Sequence, residues 1–198
     1  MSYRIYLFDP ILGADPVETG REIAFSASRR HKVSPKSAES AETDLKLAAT
    51  LKRQWPALQD VQFDPADLDT IGESPLNSAT PYHSLFLIEP ASGVRMALEK
   101  GVVEVWVPLG FSPGSARAVF TQILGCLEAL EREWGYIAFD PRLNQILNVS
   151  KDMPDVLDKY RKWVVYYPGA ILMDRALLDA ELEEVDLTPD DRPWYSRQ

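Results

Sequence analysis

Two groups of carboxylates are the residues of this 198-residue sequence best suited to bind a charged ligand or partner. The first group lies in a segment rich in Asp, Pro, Ser and Thr and comprises Asp60, Asp64, Asp67, Asp69 and Glu73. The second lies near the end of the sequence and comprises Glu181, Glu183, Glu184 and Asp186. Clustered carboxylates attract basic proteins and divalent cations, so we take these side chains as the candidate binding residues.

The spacing of the acidic residues does not favour a metal site. The stretch from Asp64 to Asp69 lacks the glycine and the terminal glutamate of the twelve-residue calcium loop. One cysteine, Cys126, and two distant histidines, His31 and His83, do not have the spacing of zinc ligands. We therefore predict no metal and no cofactor.

Motifs for catalysis are also missing from the sequence. It contains no glycine-rich phosphate loop, no G-x-S-x-G nucleophile motif and no H-E-x-x-H motif. The basic cluster Arg29 to Lys36 could contact a phosphate, but its composition is also typical of a solvated loop. We predict no catalytic residues, and an enzyme of unknown reaction stays open as an alternative.

The bulk composition limits the class of partner. The net charge is −9, which disfavours nucleic acid and favours a basic protein. No apolar run approaches the ~20 residues that a membrane helix needs. Together with the absence of an apolar leader and with a single cysteine, this predicts a cytoplasmic protein without a membrane partner. The length predicts one domain, 1–198, with a core over 1–150 and an extension over 151–198.

The elements that position these residues are organised around the stretch from Val102 to Pro141. Its first six residues, Val102 to Val107, are β-branched or aromatic apart from one glutamate, which predicts a strand. Ser112-Pro113 is typical of a helix start, and Gly135 of a helix end. The helix between them carries an apolar stripe, beside which Cys126 is expected to be a buried small side chain.

The rest of the chain supplies further strands and helices. Asp-Pro pairs after Phe8 and Phe139 predict turns in which the aspartate accepts local N–H groups. The predicted segments are strands at 3–8, 83–89, 94–98 and 144–149, helices from 40 to 55 and from 152, a loop at 11–19, a short strand or turn at 22–28, and a long loop at 57–81. The order β-α-β-β-α-β predicts an α+β, ferredoxin-like antiparallel sheet with helices on one face, followed by a hairpin and helical extension.

Two stretches resemble a family of small bacterial proteins. The opening Met1 to Pro10, and Gly135 to Pro141, are similar to strands of ferredoxin-like proteins of the polymorphic-toxin immunity type. The resemblance implies a protein that binds a toxin and covers its active site. It carries over no functional residues.

The sequence thus favours a non-catalytic immunity protein that neutralises a basic toxin domain through an acidic surface. An alternative is a small-ligand-binding protein or an enzyme with a pocket at the sheet face, lined by Tyr82, His83 and Trp106. A third is a subunit that associates with itself through an exposed strand edge.

Overall fold

A seven-stranded antiparallel sheet forms the centre of the protein. The computed structural model describes residues 2–28, 38–61, 85–148 and 151–166. The strands lie in the order β2-β3-β4-β5-β1-β6-β7, and every neighbouring pair is antiparallel. In chain order they are β1 Ser2–Phe8, β2 Gln59–Val61, β3 Leu85–Ile88, β4 Arg95–Glu99, β5 Val102–Pro108, β6 Ile137–Asp140 and β7 Gln145–Leu147.

Four helices cover the two faces of the sheet. They are α1 Pro16–Ser28, α2 Ala38–Gln54, α3 Pro113–Trp134 and α4 Met153–Tyr166. The odd-numbered residues of β1 and β5 pack into the main core with α2, α3 and α4. Tyr6, Phe8 and Phe139 point to the opposite face, where Val17, Ile23 and Ala24 of α1 pack against them. The two faces differ because successive side chains of a strand alternate.

The central stretch folds as its residues predict. The Ser112 hydroxyl accepts a hydrogen bond from the Ser115 amide at 3.3 Å, and Gly135 ends α3 in the left-handed conformation. The stripe of α3 is buried on the sheet through Ala116, Phe120, Ile123, Leu127 and Leu130. The predicted hairpin strand and the helix after Asp152 are present as β7 and α4.

Four predictions about the fold need correction. The sheet is larger than the four strands of the predicted pattern, and α1 lies on the face predicted to have no helix. The predicted loop at 11–19 and the strand or turn at 22–28 contain α1 instead. Asp15 starts this helix because its carboxylate accepts hydrogen bonds from the amides of Val17 and Glu18, at 2.8 and 3.1 Å.

Other predicted segments lie partly or wholly outside the described residues. The start of the predicted 57–81 loop forms β2, and residues 62–84 are not described. The basic cluster at 29–36 and the tail after 166 also lie outside them.

Cys126 is buried in α3, and burial raises the pKa of its thiol to about 12. Only the thiolate is a strong nucleophile, so the native thiol should resist modification at pH 8. We expect Ellman's reagent to label less than one-tenth of the protein in an hour at about 25 °C, and all of it after unfolding in guanidinium chloride. Rapid labelling of the native protein would show that the thiol is accessible.

Candidate functional site

Of the nine carboxylates predicted to bind a partner, Asp60 is the one that the described residues include. It lies on β2, its side chain is 54% exposed, and its Oδ2 accepts from Lys52 Nζ at 2.7 Å. The other eight, Asp64, Asp67, Asp69, Glu73, Glu181, Glu183, Glu184 and Asp186, lie outside the described residues. Asp60 is therefore partly neutralised by α2, and the predicted grouping of these carboxylates stays a prediction.

A further acidic region, not predicted from the sequence, extends from the turn before α1 along that helix. Its apolar members are Ile11, Leu12 and Phe25, of which Leu12 is fully exposed, Ile11 is 63% exposed and Phe25 is 51% exposed. Its carboxylates are Asp9, Asp15, Glu18 and Glu22, which are all exposed. We call these seven residues the acidic-apolar surface.

The turn between β1 and α1 holds the apolar pair in solvent. The Ala14 amide donates to the Ile11 carbonyl at 3.1 Å, and the Asp15 cap fixes the first turn of α1 immediately afterwards. Within this turn both Ile11 and Leu12 are exposed. Fully burying an exposed leucine contributes roughly 1.5–3 kcal/mol, so a partner that covers this turn gains binding energy.

One stripe of α1 continues the acidic-apolar surface. Glu18, Glu22 and Phe25 follow at spacings of four and three residues, which places them on one side of the helix. Arg21 lies on the same side, where it pairs with Glu18 and donates to Asn144 Oδ1 at 2.7 Å. This side of α1 therefore carries a net negative charge, and the aromatic ring of Phe25 lies at one end of it.

A sequence signal for this region exists but is weak. Asp15-Pro16 is a cap followed by proline at the first helical position, which is a common helix start. Gly13, Asp15 and two prolines favoured the interpretation as a loop. The position of Phe25 in solvent follows from the docking of α1 on the sheet, which no local pattern specifies.

The face of the sheet that α1 leaves open carries a polar and aromatic cluster. Arg4, Trp106, Arg95 and Ile88 are direct cross-strand neighbours along one row over β1, β5, β4 and β3. Tyr6, Glu104, Ala97 and Phe86 form the next row. We call these two rows the sheet platform.

Arg4 and Glu104 form the charged part of the sheet platform. Arg4 Nη1 lies 3.1 Å from Glu104 Oε1, and the Tyr6 hydroxyl donates to the same oxygen at 3.0 Å. The Arg4 guanidinium also lies over the Trp106 ring, 5.6 Å from its centre, and Phe86 packs against Trp106. Glu104 is buried and Arg4 is partly exposed, so the pair orients the arginine over the indole.

A further pair, Tyr3 and Asp140, is closed to solvent. The Tyr3 hydroxyl donates to Asp140 Oδ2 at 2.5 Å, and both residues are fully buried. Burial raises the pKa of the Asp140 carboxyl, and hydrogen bonds from Tyr3 and the Arg142 and Leu143 amides oppose that rise. Because no substrate reaches these atoms, we assign them to stability.

The described residues form neither a metal site nor a membrane-spanning helix. In the ranges that the structure describes, no three His, Cys, Asp or Glu side chains are placed to hold a metal ion. None of the helices there has the length and apolar character needed to cross a membrane. Comparison with known proteins gave no match to any family model, curated protein or solved structure.

Proposed function

We propose that the chain is a cytoplasmic, non-catalytic binding protein of the immunity type, which neutralises a basic toxin domain by covering its active site. The observation that carries the proposal is the acidic-apolar surface. Leu12, Ile11 and Phe25 offer exposed apolar contact area, and four exposed carboxylates lie on the same turn and helix. This is the composition of an interface with an apolar centre and a polar rim.

The charge of the surface favours a basic partner. Asp9, Asp15, Glu18 and Glu22 outnumber Arg21, and the whole chain has a net charge of −9. Opposite charge accelerates the encounter of two proteins and disfavours acidic competitors. The carboxylates predicted at 60–73 and 181–186 would add to the same attraction.

We also propose that the core has a ferredoxin-like arrangement. It would consist of β1, α2, β4, β5, α3 and β6, whose strands lie in the order β4-β5-β1-β6. In this arrangement β2, β3, β7, α1 and α4 are additions to the core. The acidic-apolar surface then lies outside this core. Its residues, and with them the binding specificity, can therefore change while the packing of the core stays the same.

The test is affinity capture with matched variants. The immobilised wild-type chain is compared with Leu12→Ser/Phe25→Ser, with Glu18→Lys/Glu22→Lys and with Leu45→Ser. Leu45 is a similarly exposed leucine on α2, 62% exposed, and controls for a general loss of apolar surface. The captured protein is identified by mass spectrometry, and its affinity for each variant is then measured.

We expect one basic protein, held by wild type and Leu45→Ser alike. Loss of two apolar contacts should weaken its binding about tenfold or more, and charge reversal should slow its association. A stoichiometric amount of the chain should inhibit the activity of the captured protein. Equal binding to the Leu12→Ser/Phe25→Ser variant, or an acidic partner, would overturn the proposal.

A further inference from the structure

An arginine without a counter-charge lines a cavity on the sheet platform. Arg95 is half-buried on β4, and throughout the described ranges its guanidinium has no hydrogen bond and no ion pair. The cavity has a volume of about 50 Å³, and Val61, Phe86, Leu87 and Ile88 complete its lining. A partly desolvated cation is stabilised by an anion, so the cavity offers one charged contact within an apolar wall.

A second unsatisfied donor lies beside Arg95. Trp106 is its direct cross-strand neighbour on β5, and the indole Nε1 is buried without a hydrogen-bond partner. The Trp106 ring also packs against Phe86, which lines the cavity, with 6.2 Å between ring centres. A buried N–H group without an acceptor is costly and uncommon in folded proteins. An anion bound at Arg95 would therefore lie next to this indole, although Trp106 does not itself line the cavity.

The other arginine of the sheet platform does not compete for that anion. Arg4 already faces Glu104 at 3.1 Å, so its charge is neutralised inside the protein. Arg95 has no such carboxylate, although both arginines flank the same indole. The arginine available to an anion is therefore Arg95, which lines the cavity.

The size and lining of the cavity define the rest of the ligand. Pockets for drug-sized ligands have volumes of roughly 300–1,000 Å³, far above the volume of this cavity. The space fits one small aliphatic group, and the side chains of Val61, Phe86 and Ile88 are apolar. The ligand thus combines a carboxylate with a single group of about the size of a leucine side chain.

We propose that the cavity binds a branched aliphatic carboxylate, with its carboxylate on Arg95 and its apolar group against Phe86 and Ile88. Two sources share this chemistry: a polypeptide that ends in a free leucine, and a free branched-chain carboxylic acid. The proposal does not depend on the protein partner of the acidic-apolar surface, because the two sites have no residue in common.

The experiment follows the indole N–H signal of Trp106 in ¹H–¹⁵N spectra of the full chain, assigned with Trp106→Phe. Three probes are titrated: 4-methylpentanoate, acetyl-Gly-Gly-Leu with a free carboxylate, and the same peptide with a terminal amide. We expect a saturable shift of this signal with at least one carboxylate and none with the amide. Binding of both acids indicates the free acid as the source, and binding of the peptide acid alone indicates a chain terminus.

Arg95→Gln provides the decisive variant, and Arg117→Gln is its control on the exposed side of α3. Loss of a charge-assisted contact should raise the Kd about tenfold or more for Arg95→Gln and leave it unchanged for Arg117→Gln. The Leu12→Ser/Phe25→Ser variant should bind the probes as wild type does. An unchanged Kd in Arg95→Gln, equal binding of acid and amide, or no saturable shift up to about 10 mM overturns the proposal.

Discussion

Replacing Tyr3 by phenylalanine is expected to lower the free energy of unfolding by about 1.5–3 kcal/mol at pH 7. The Tyr3 hydroxyl donates to Asp140 Oδ2 at 2.5 Å, and both side chains are fully buried. The variant keeps the aromatic packing of residue 3 on Phe120 and Tyr160. It removes only the donor, so a buried carboxylate oxygen loses the hydrogen bond that compensates its burial.

The loss should grow as the pH rises. Burial raises the pKa of Asp140 above its ordinary value of 3.8, while the hydrogen bond from Tyr3 lowers it. Between 3.8 and the folded pKa, the folded state binds more protons than the unfolded state, so stability falls with increasing pH. Without the Tyr3 hydroxyl, the pKa of Asp140 in the folded state is higher still. The fall in stability therefore continues to a higher pH than in the wild type. The difference between variant and wild type is therefore smallest at low pH.

Urea unfolding from pH 4 to pH 8 measures both effects. Tyr136→Phe is the control, because the Tyr136 hydroxyl has no hydrogen bond to a carboxylate in the described part of the chain. We expect this control to change stability by less than about 0.5 kcal/mol at every pH. A Tyr3→Phe loss that is independent of pH would contradict the role given to Asp140.

Replacing Gly20 by alanine is expected to destabilise the protein by about 1–3 kcal/mol. Gly20 is buried where the backbone of α1 lies against the ring of Phe139, which is itself fully buried. A Cβ atom at residue 20 would lie 2.4 Å from Cγ of Phe139 and 2.8 Å from two further ring carbons. The ring cannot move without disturbing Tyr6 and Phe8, so α1 must shift.

Gly114→Ala is the matched control for this substitution. Gly114 lies in the first turn of α3, and no atom lies within 4 Å of the position of an added Cβ. There the alanine should be neutral or stabilising, by up to about 1 kcal/mol, because it restricts the unfolded chain. In thermal unfolding, Gly20→Ala should lower the Tm, and Gly114→Ala should leave the Tm unchanged or raise it. A shift of α1 in Gly20→Ala should also weaken capture of the proposed partner, since α1 carries Phe25.

Elements whose signals are local can be predicted from the sequence alone. The helix α3 has an apolar stripe, a serine cap at Ser112 and a left-handed glycine at Gly135, and each of these acts within a few residues. The Asp140-Pro141 turn was determined in the same way, through hydrogen bonds from the Arg142 and Leu143 amides. Burial of Cys126 followed from its place beside the stripe.

Other features depend on contacts between residues that are far apart in the chain. The second oxygen of Asp140 meets Tyr3, 137 positions away, and only the pairing of β1 with β6 brings the two together. The register of β1, β5 and β4 likewise places Arg4 and Arg95 on either side of Trp106. Glycine has a low helix propensity, yet Gly20 lies inside α1. It is there because a residue without a side chain fits against the ring of Phe139. Local patterns encode the elements, whereas their docking and register depend on contacts that close only in the folded chain.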